Sequence, residues 1–356
     1  ITKPELDLIA ALGIKRVRVG VSWYAVEYSP GRYRWDIQLP RRNDADDYAT
    51  KKTFTYDELF AAIRERGLKL DVTLHEGNAG ITGLVNMAAA GQPPAYRHAA
   101  PHSPEHIAMF AKFSALTVQH FEGIYGKDAF GWHIWNEPDT DMGFAPKTDA
   151  AIVGKLLTQS CQAIKQVSPT ASVMGPALAA YGEGSIRYDF LAGMFTQSNP
   201  LNCVDAITVH PYRSGVPETV PVDYARMQQI MAPFQPAGNP KPVAVDEWAY
   251  SINKNYSPIS SQLWRNRTEA EQAALMFRMY MINIKAALPL TVLYDWRDNG
   301  THPYDWEHHF GVIGYNKEEK APQRMFAYVW PLLMDRIVQE AGNPTGCSTR
   351  DHMMRF

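Results

Sequence analysis

Gly131-Trp132-His133-Ile134-Trp135-Asn136-Glu137-Pro138-Asp139 is an aromatic and β-branched run that stops abruptly at Asn-Glu-Pro. Residues of that kind fit a pleated, half-buried surface, and a proline cannot continue a central strand, so the run reads as a strand that ends at its carboxylate. Glu137 is thereby placed at a strand's C-terminal tip. Pro242-Val243-Ala244-Val245-Asp246-Glu247-Trp248 repeats the pattern, an apolar run ending at a second glutamate.

Around these two runs the chain alternates between strand and helix signals. Pro4 to Leu12 has proline near its start, acids in the first turn and Gly13 just past its end, which predicts a helix. Ile14 to Trp23 reads as a strand, with Val17, Val19 and Val21 on one side of the alternation and Arg16, Arg18 and Gly20 on the other. Helices are predicted over 56–66, 104–125, 150–167, 188–195, 224–231, 268–287 and 322–339. Strands are predicted over 68–74, 172–176, 204–210, 243–247 and 291–296, besides the run ending at Glu137. Loops at 27–55 and 75–103 are long enough for functional loops rather than plain connections.

This alternation points to parallel β/α architecture. Residues suited to function stand at the tips of nearly every strand: Trp23, His75, Glu137, His210, Glu247 and Trp296. An open sheet concentrates such residues at its switch point, whereas a (β/α)8 TIM barrel spreads them around one rim, so the barrel is expected. Only seven strands are visible, and the first predicted element is a helix; the expectation is a barrel whose first β-strand is missing from this chain. Residues 1–342 would form it and 343–356 a C-terminal tail.

Composition sets the outer bounds. The chain has 356 residues, 46% hydrophobic and 20% charged, ample for one large core. Thirty-five Lys and Arg against 37 Asp and Glu leave a net charge of -2, which makes no electrostatic case for nucleic acid or an anionic membrane surface. A neutral or mildly charged ligand fits better, and 9 Trp and 18 Tyr supply flat faces of the kind proteins lay against sugars, although about half are expected in the core. Cys161, Cys203 and Cys347 cannot all pair internally, and no Cys/His spacing suggests zinc. No run of about 18 apolar residues marks a membrane span. The chain opens on Ile1 without a signal-peptide pattern, and its destination is not read from that start.

With the first strand taken as missing, Glu137 falls on strand four of a barrel and Glu247 on strand seven. Here the sequence resembles the glycoside hydrolases of clan A, (β/α)8 enzymes whose acid/base follows an asparagine at the tip of strand four and whose nucleophile closes strand seven. Val17-Arg18-Val19-Gly20-Val21-Ser22-Trp23 looks like the clan's strand two, and Thr208-Val209-His210-Pro211-Tyr212 like its strand six. Within the clan the chain is most similar to family 39, in its bacterial exopolysaccharide-endoglycosidase branch, through Trp132 to Pro138, the His-Pro-Tyr motif and Glu307-His308-His309-Phe310-Gly311.

The resemblance implies Glu137 as acid/base, its pKa raised by burial and a nearby anion, and Glu247 as nucleophile oriented by Arg18 and Tyr212. It implies Asn136 on the sugar's 2-hydroxyl and Trp296 as an aromatic platform. His210, His75 and Trp23 are further expected sugar contacts, with Tyr250, His302 and Trp306 as subsite candidates. No metal or cofactor is expected, and the substrate class implies a secreted or periplasmic protein. Groove-like, endo-acting cleavage is favoured over terminal cleavage. Strand alternation sends Asp246 to the face opposite Glu247, toward a helix. Two rival readings are a metal-dependent barrel hydrolase, for which the strand-one His-x-His is not visible, and a non-catalytic carbohydrate-binding barrel, which should have lost a carboxylate.

Overall fold

The protein is described from a computed structural model over residues 1–37, 54–90, 96–182, 184–252 and 267–331. Seven parallel strands form one sheet in strict sequence order: β1 (Arg16–Ser22), β2 (Lys69–His75), β3 (Phe130–Ile134), β4 (Val173–Tyr181), β5 (Ala206–Tyr212), β6 (Val243–Trp248) and β7 (Thr291–Leu293). Between and around them run helices α1 (Lys3–Ala11), α2 (Tyr56–Arg64), α3 (Pro104–Tyr125), α4 (Ala150–Val167), α5 (Tyr188–Gly193), α6 (Val220–Met231), α7 (Glu269–Lys285) and α8 (Ala321–Tyr328). Local chemistry starts several of them. Thr55 and Glu58 cap α2 reciprocally, Thr268 and Glu271 do the same for α7, and the Ser103 hydroxyl accepts from the His106 N–H ahead of Pro104 in α3.

The sheet curls into a barrel wall. β1 and β6 are five places apart in the strand order, about 24 Å along a flat sheet at ~4.8 Å per strand. Yet Arg18 on β1 touches Glu247 on β6 at 2.8 Å. Among the described residues seven strands line this (β/α)8 barrel, and none joins β7 to β1. Across that edge α1 reaches the loop after β7, with Glu5 at 3.6 Å from Arg297 and 3.9 Å from Lys317.

Alternation decides which side chains face helices and which face the lumen. On β3, Phe130, Trp132 and Ile134 pack outward; Trp132 is fully buried, and its indole donates to Glu122 of α3 at 2.9 Å. Burying a ring of that size contributes roughly 1.5–3 kcal/mol, so this layer holds the helices on. Gly131 and His133 point into the lumen. A Cβ on Gly131 would stand 2.4 Å from Asp71 Oδ1 and 2.8 Å from Arg16 Nη2, so that position must be glycine for the Arg16–Asp71 pair to fill the barrel floor.

The lumen is apolar at one end, with Met174, Ala206, Ala244, Leu290 and Val292, and charged above it. The expected end of β4 moves. β4 runs on past Pro176 to Tyr181 because the missing ladder donor is bypassed: the Ala177 N–H donates to the Thr208 hydroxyl at 2.7 Å, and the register shifts between Gly175 and Leu178. The final helix is described only to Tyr328, and the expected remainder of it from 332 onward, like the tail at 343–356 and Cys347, lies outside the described residues. No described helix is long and apolar enough to cross a membrane.

Candidate active site

The site stands at the C-terminal rim of the strands, where β3 and β6 end. After Ile134 the chain leaves regular strand geometry, with Trp135 at φ 69° and Glu137 at φ 51°, both left-handed and disfavoured for side-chain-bearing residues. Neighbouring strands hold the turn in place: Trp135 N–H donates to Leu74 O at 2.8 Å and Glu137 N–H to Ala177 O at 2.9 Å. Gly143 backs it, since a Cβ there would lie 1.9 Å from the Glu137 carbonyl oxygen.

Glu137 Oε1 lies 2.9 Å from His210 Nδ1, and Tyr181 donates its hydroxyl to Glu137 Oε2 at 2.5 Å. Glu247 Oε1 accepts from the Tyr212 hydroxyl at 2.8 Å, and Glu247 Oε2 from Arg18 Nη1 at 2.8 Å. The second Arg18 amine donates to Asn136 Oδ1 at 2.8 Å, tying the residue beside one glutamate to the other glutamate. A carboxylate oxygen of Glu137, a ring nitrogen of His210 and a carboxylate oxygen of Glu247 all lie within 4.8 Å of one another. Three donors at such spacing also suit a cation. A guanidinium already rests on Glu247, and His210 has carboxylates against both ring nitrogens.

The electrostatics differ from the expected raised Glu137. Burial does work against its charge, but His210 and Tyr181 donate to the carboxylate and Arg18 adds positive charge nearby, so its pKa falls below the ordinary value. His210 moves the opposite way. Although burial opposes its charge, Glu247, Asp246 and Glu137 push it up to about 10. Burial raises Asp139, beneath the Glu137 turn, to about 6, against a hydrogen bond from the Ala179 N–H.

Other expected residues are placed differently. Trp23 is not at the rim surface: it begins a single helical turn, Trp23–Val26, is 0% exposed, packs on Phe110 and Phe113, and donates to Glu27 at 2.6 Å. A sugar cannot reach it. His210 is likewise wholly buried and faces the carboxylates rather than the open rim. Tyr250 is buried beneath the Arg267 guanidinium, 5.2 Å from its ring centroid. Burial lowers His75, which lies against Gly20 at the tip of β2. Trp296 is 9% exposed beyond the end of β7, and its Nε1 has no hydrogen-bond partner among the described residues. His302 and the half-buried Trp306 sit on the loop after β7, with Trp306 edge-on to Phe310.

Asp246 was expected to face a helix and instead fills the lumen, 3.0 Å from His133 Nδ1 and 3.8 Å from Arg18 Nη2. The pairing of β6 with β7 shifts register between Val245 and Trp248, and such an irregularity lets two consecutive residues point inward. Tyr181 went unnoticed in the sequence because a strand stopping at Pro176 leaves it in a loop.

No family model and no curated protein matches this chain. Solved structures do. A family 39 glycoside hydrolase from the gut symbiont Bacteroides cellulosilyticus WH2 superposes with a TM-score of 0.65 at 20% identity, over 93% of this chain and 61% of that one. A monomeric β-xylosidase from Caulobacter crescentus CB15 gives 0.59 at 18%, over 92% and 64%. An exo-β-1,4-mannosidase, Op5Man5, from Opitutaceae bacterium strain TAV5 gives 0.58 at 17%, over 94% and 55%. The chain thus spans 55% to 64% of the lengths of these proteins, and the likeness establishes the barrel fold.

Proposed function

We propose that this protein is a retaining O-glycoside hydrolase of the clan A type, most like family 39, with Glu247 as nucleophile and Glu137 as acid/base. The observation that carries the reading is the pair itself: two carboxylates from opposite walls of the barrel with oxygens within 4.8 Å of one another, each held by its own donors. Retaining enzymes keep their carboxyl groups about 5–5.5 Å apart and inverting ones about 6.5–9.5 Å apart, so the spacing belongs with the first class.

In the first step Glu247 attacks the anomeric carbon, the glycosidic bond breaks, and the departing oxygen takes the proton of the protonated fraction of Glu137, a fraction that its lowered pKa shifts toward acid pH. In the second, water adds to the same carbon from the vacated side, Glu137 takes the water's proton, and the bond to Glu247 breaks. Two inversions leave the configuration as it began. Arg18 and Tyr212 hold the attacking carboxylate, which supports that aim, and Asn136, held by Arg18, is the residue proposed to bind the sugar 2-hydroxyl, a contact that strengthens as positive charge grows on the ring.

The substrate is a polysaccharide or oligosaccharide, and internal cleavage remains the first expectation. Terminal cleavage is the second reading, favoured by relatives that include a β-xylosidase and an exo-mannosidase. A disulfide between Cys161 and Cys203 supports a secreted or periplasmic setting, because such bonds persist in oxidising compartments. The experiment is hydrolysis of a panel of bacterial and plant polysaccharides with products sized by mass, alongside Glu247→Ala. A ladder of oligosaccharides supports endo action and monosaccharide supports exo action, both absent in the variant. Products that persist in Glu247→Ala would overturn the assignment.

A further inference from the structure

Asp246 belongs to neither half of the proposed double displacement, yet it is a fully enclosed charge beside it. It is 0% exposed, and its carboxyl is held well below the usual carboxylate range: burial works against the charge, but His133, His210 and Arg18 outweigh it. One oxygen, Oδ2, accepts from His133 Nδ1 at 3.0 Å. The other, Oδ1, faces His210 Nε2 at 3.4 Å, an ion-pair distance, and neither of those two atoms makes a hydrogen bond among the described residues.

His210 therefore has a carboxylate against each ring nitrogen. Nε2 faces Asp246, while Nδ1 lies 2.9 Å from Glu137 Oε1 and 3.6 Å from Glu247 Oε1. An ionised carboxylate only accepts, so carboxylates facing both nitrogens favour the ring that carries a proton on each. The other charged or titratable groups about it are Arg18 from β1, Tyr212 on β5, Tyr181 of β4 through Glu137, and Asp139 under the β3 turn. Behind Asp246, His133 also stands 3.4 Å from Asp71, which Arg16 grips through two bonds of 2.8 Å, so the carboxylate is anchored to the barrel floor.

We propose that Asp246 is a positioning residue for this site, holding His210 doubly protonated so that it donates to Glu137, and steadying Arg18 against Glu247. The inference rests on the glycosidase reading for its consequence, and on the lumen geometry alone for its cause. The elevated His210, at about 10, agrees with it. A cationic neighbour stabilises ionised Glu137; neutralise that neighbour, and Glu137 keeps its proton to higher pH.

The test is Asp246→Asn, which preserves shape and removes the charge, read in two ways. Nitrogen-15 NMR of the histidine rings should find both His210 nitrogens protonated near pH 8 in the wild type and only one in the variant. The basic limb of kcat/KM on a substrate with a poor leaving group should move up by about one pH unit in the variant, even as kcat falls. A neutral wild-type ring near pH 8, or a basic limb that stays put while kcat drops, would overturn the proposal. The wild-type ring measurement decides by itself if the variant does not fold. A protein with a cationic His210 but no hydrolytic activity would count against the glycosidase reading and leave the positioning result intact.

Discussion

Arg18 donates to Glu247 at 2.8 Å across 229 residues of sequence. Its guanidinium is nearly sealed from water, where an unpaired cation would be several kcal/mol too expensive to keep. Glu247, Asn136 and Asp246 compensate it together, so one side chain bridges the lumen from β1 to β6 and, in the proposed mechanism, aims Glu247.

Glu247→Ala should lower turnover of every glycoside by about 10⁴-fold or more, as loss of a covalent nucleophile does. Azide added to the variant should restore part of the activity on an activated aryl glycoside and yield a glycosyl azide of inverted configuration. Recovery of retained product instead would mean that another carboxylate attacks.

For Glu137→Gln the expected loss is about 10² to 10⁴ on substrates with poor leaving groups, with the first step on activated aryl glycosides nearly spared. Pre-steady-state kinetics would show the spared step as a burst. An equal loss on both substrate kinds would remove Glu137 from the acid role.

Tyr181→Phe removes one of the donors that keep Glu137 ionised. Losing that donor raises the carboxyl's pKa, so the basic limb of the pH profile should move upward, with kcat changed by less than about tenfold because the tyrosine is half open to water. The measurement is kcat/KM against pH for both proteins, and a downward shift would contradict the arrangement.

Stability should fall at both ends of the pH scale. His210 is raised from 6.5 to about 10, so its contribution is complete below about pH 6.5 and is lost as pH climbs through about 10. Asp246 is depressed, so its contribution is present above its ordinary 3.8 and is lost as pH drops below that. Thermal unfolding across pH should show both declines, and His210→Gln should flatten the alkaline one. An unchanged alkaline decline in that variant would separate it from His210.

Replacing both Cys161 and Cys203 with serine should cost about 2–4 kcal/mol, since the bond closes a loop over a sequence separation of 42. Denaturant titration reads the difference directly, and activity on a short substrate should be unchanged because neither sulfur approaches the rim.

The parallel β/α order and the two glutamates at strand ends were legible in the sequence because each is a local signal: a period of two, a proline that stops a strand. What surrounds the glutamates was not. Alternation assumes an unbroken strand, so the irregularity in β6 sent Asp246 inward against the rule, and the bypass at Pro176 carried Tyr181 to a site that a shorter strand could not reach. Trp23, aromatic at a strand tip like a sugar platform, turned into the core because one helical turn follows β1 and places it on Phe110 and Phe113. The identity of the carboxylates was thus local information, while the charge state of Glu137 is set by His210, Tyr181 and Arg18, which meet only when the curled sheet brings side chains remote in sequence together.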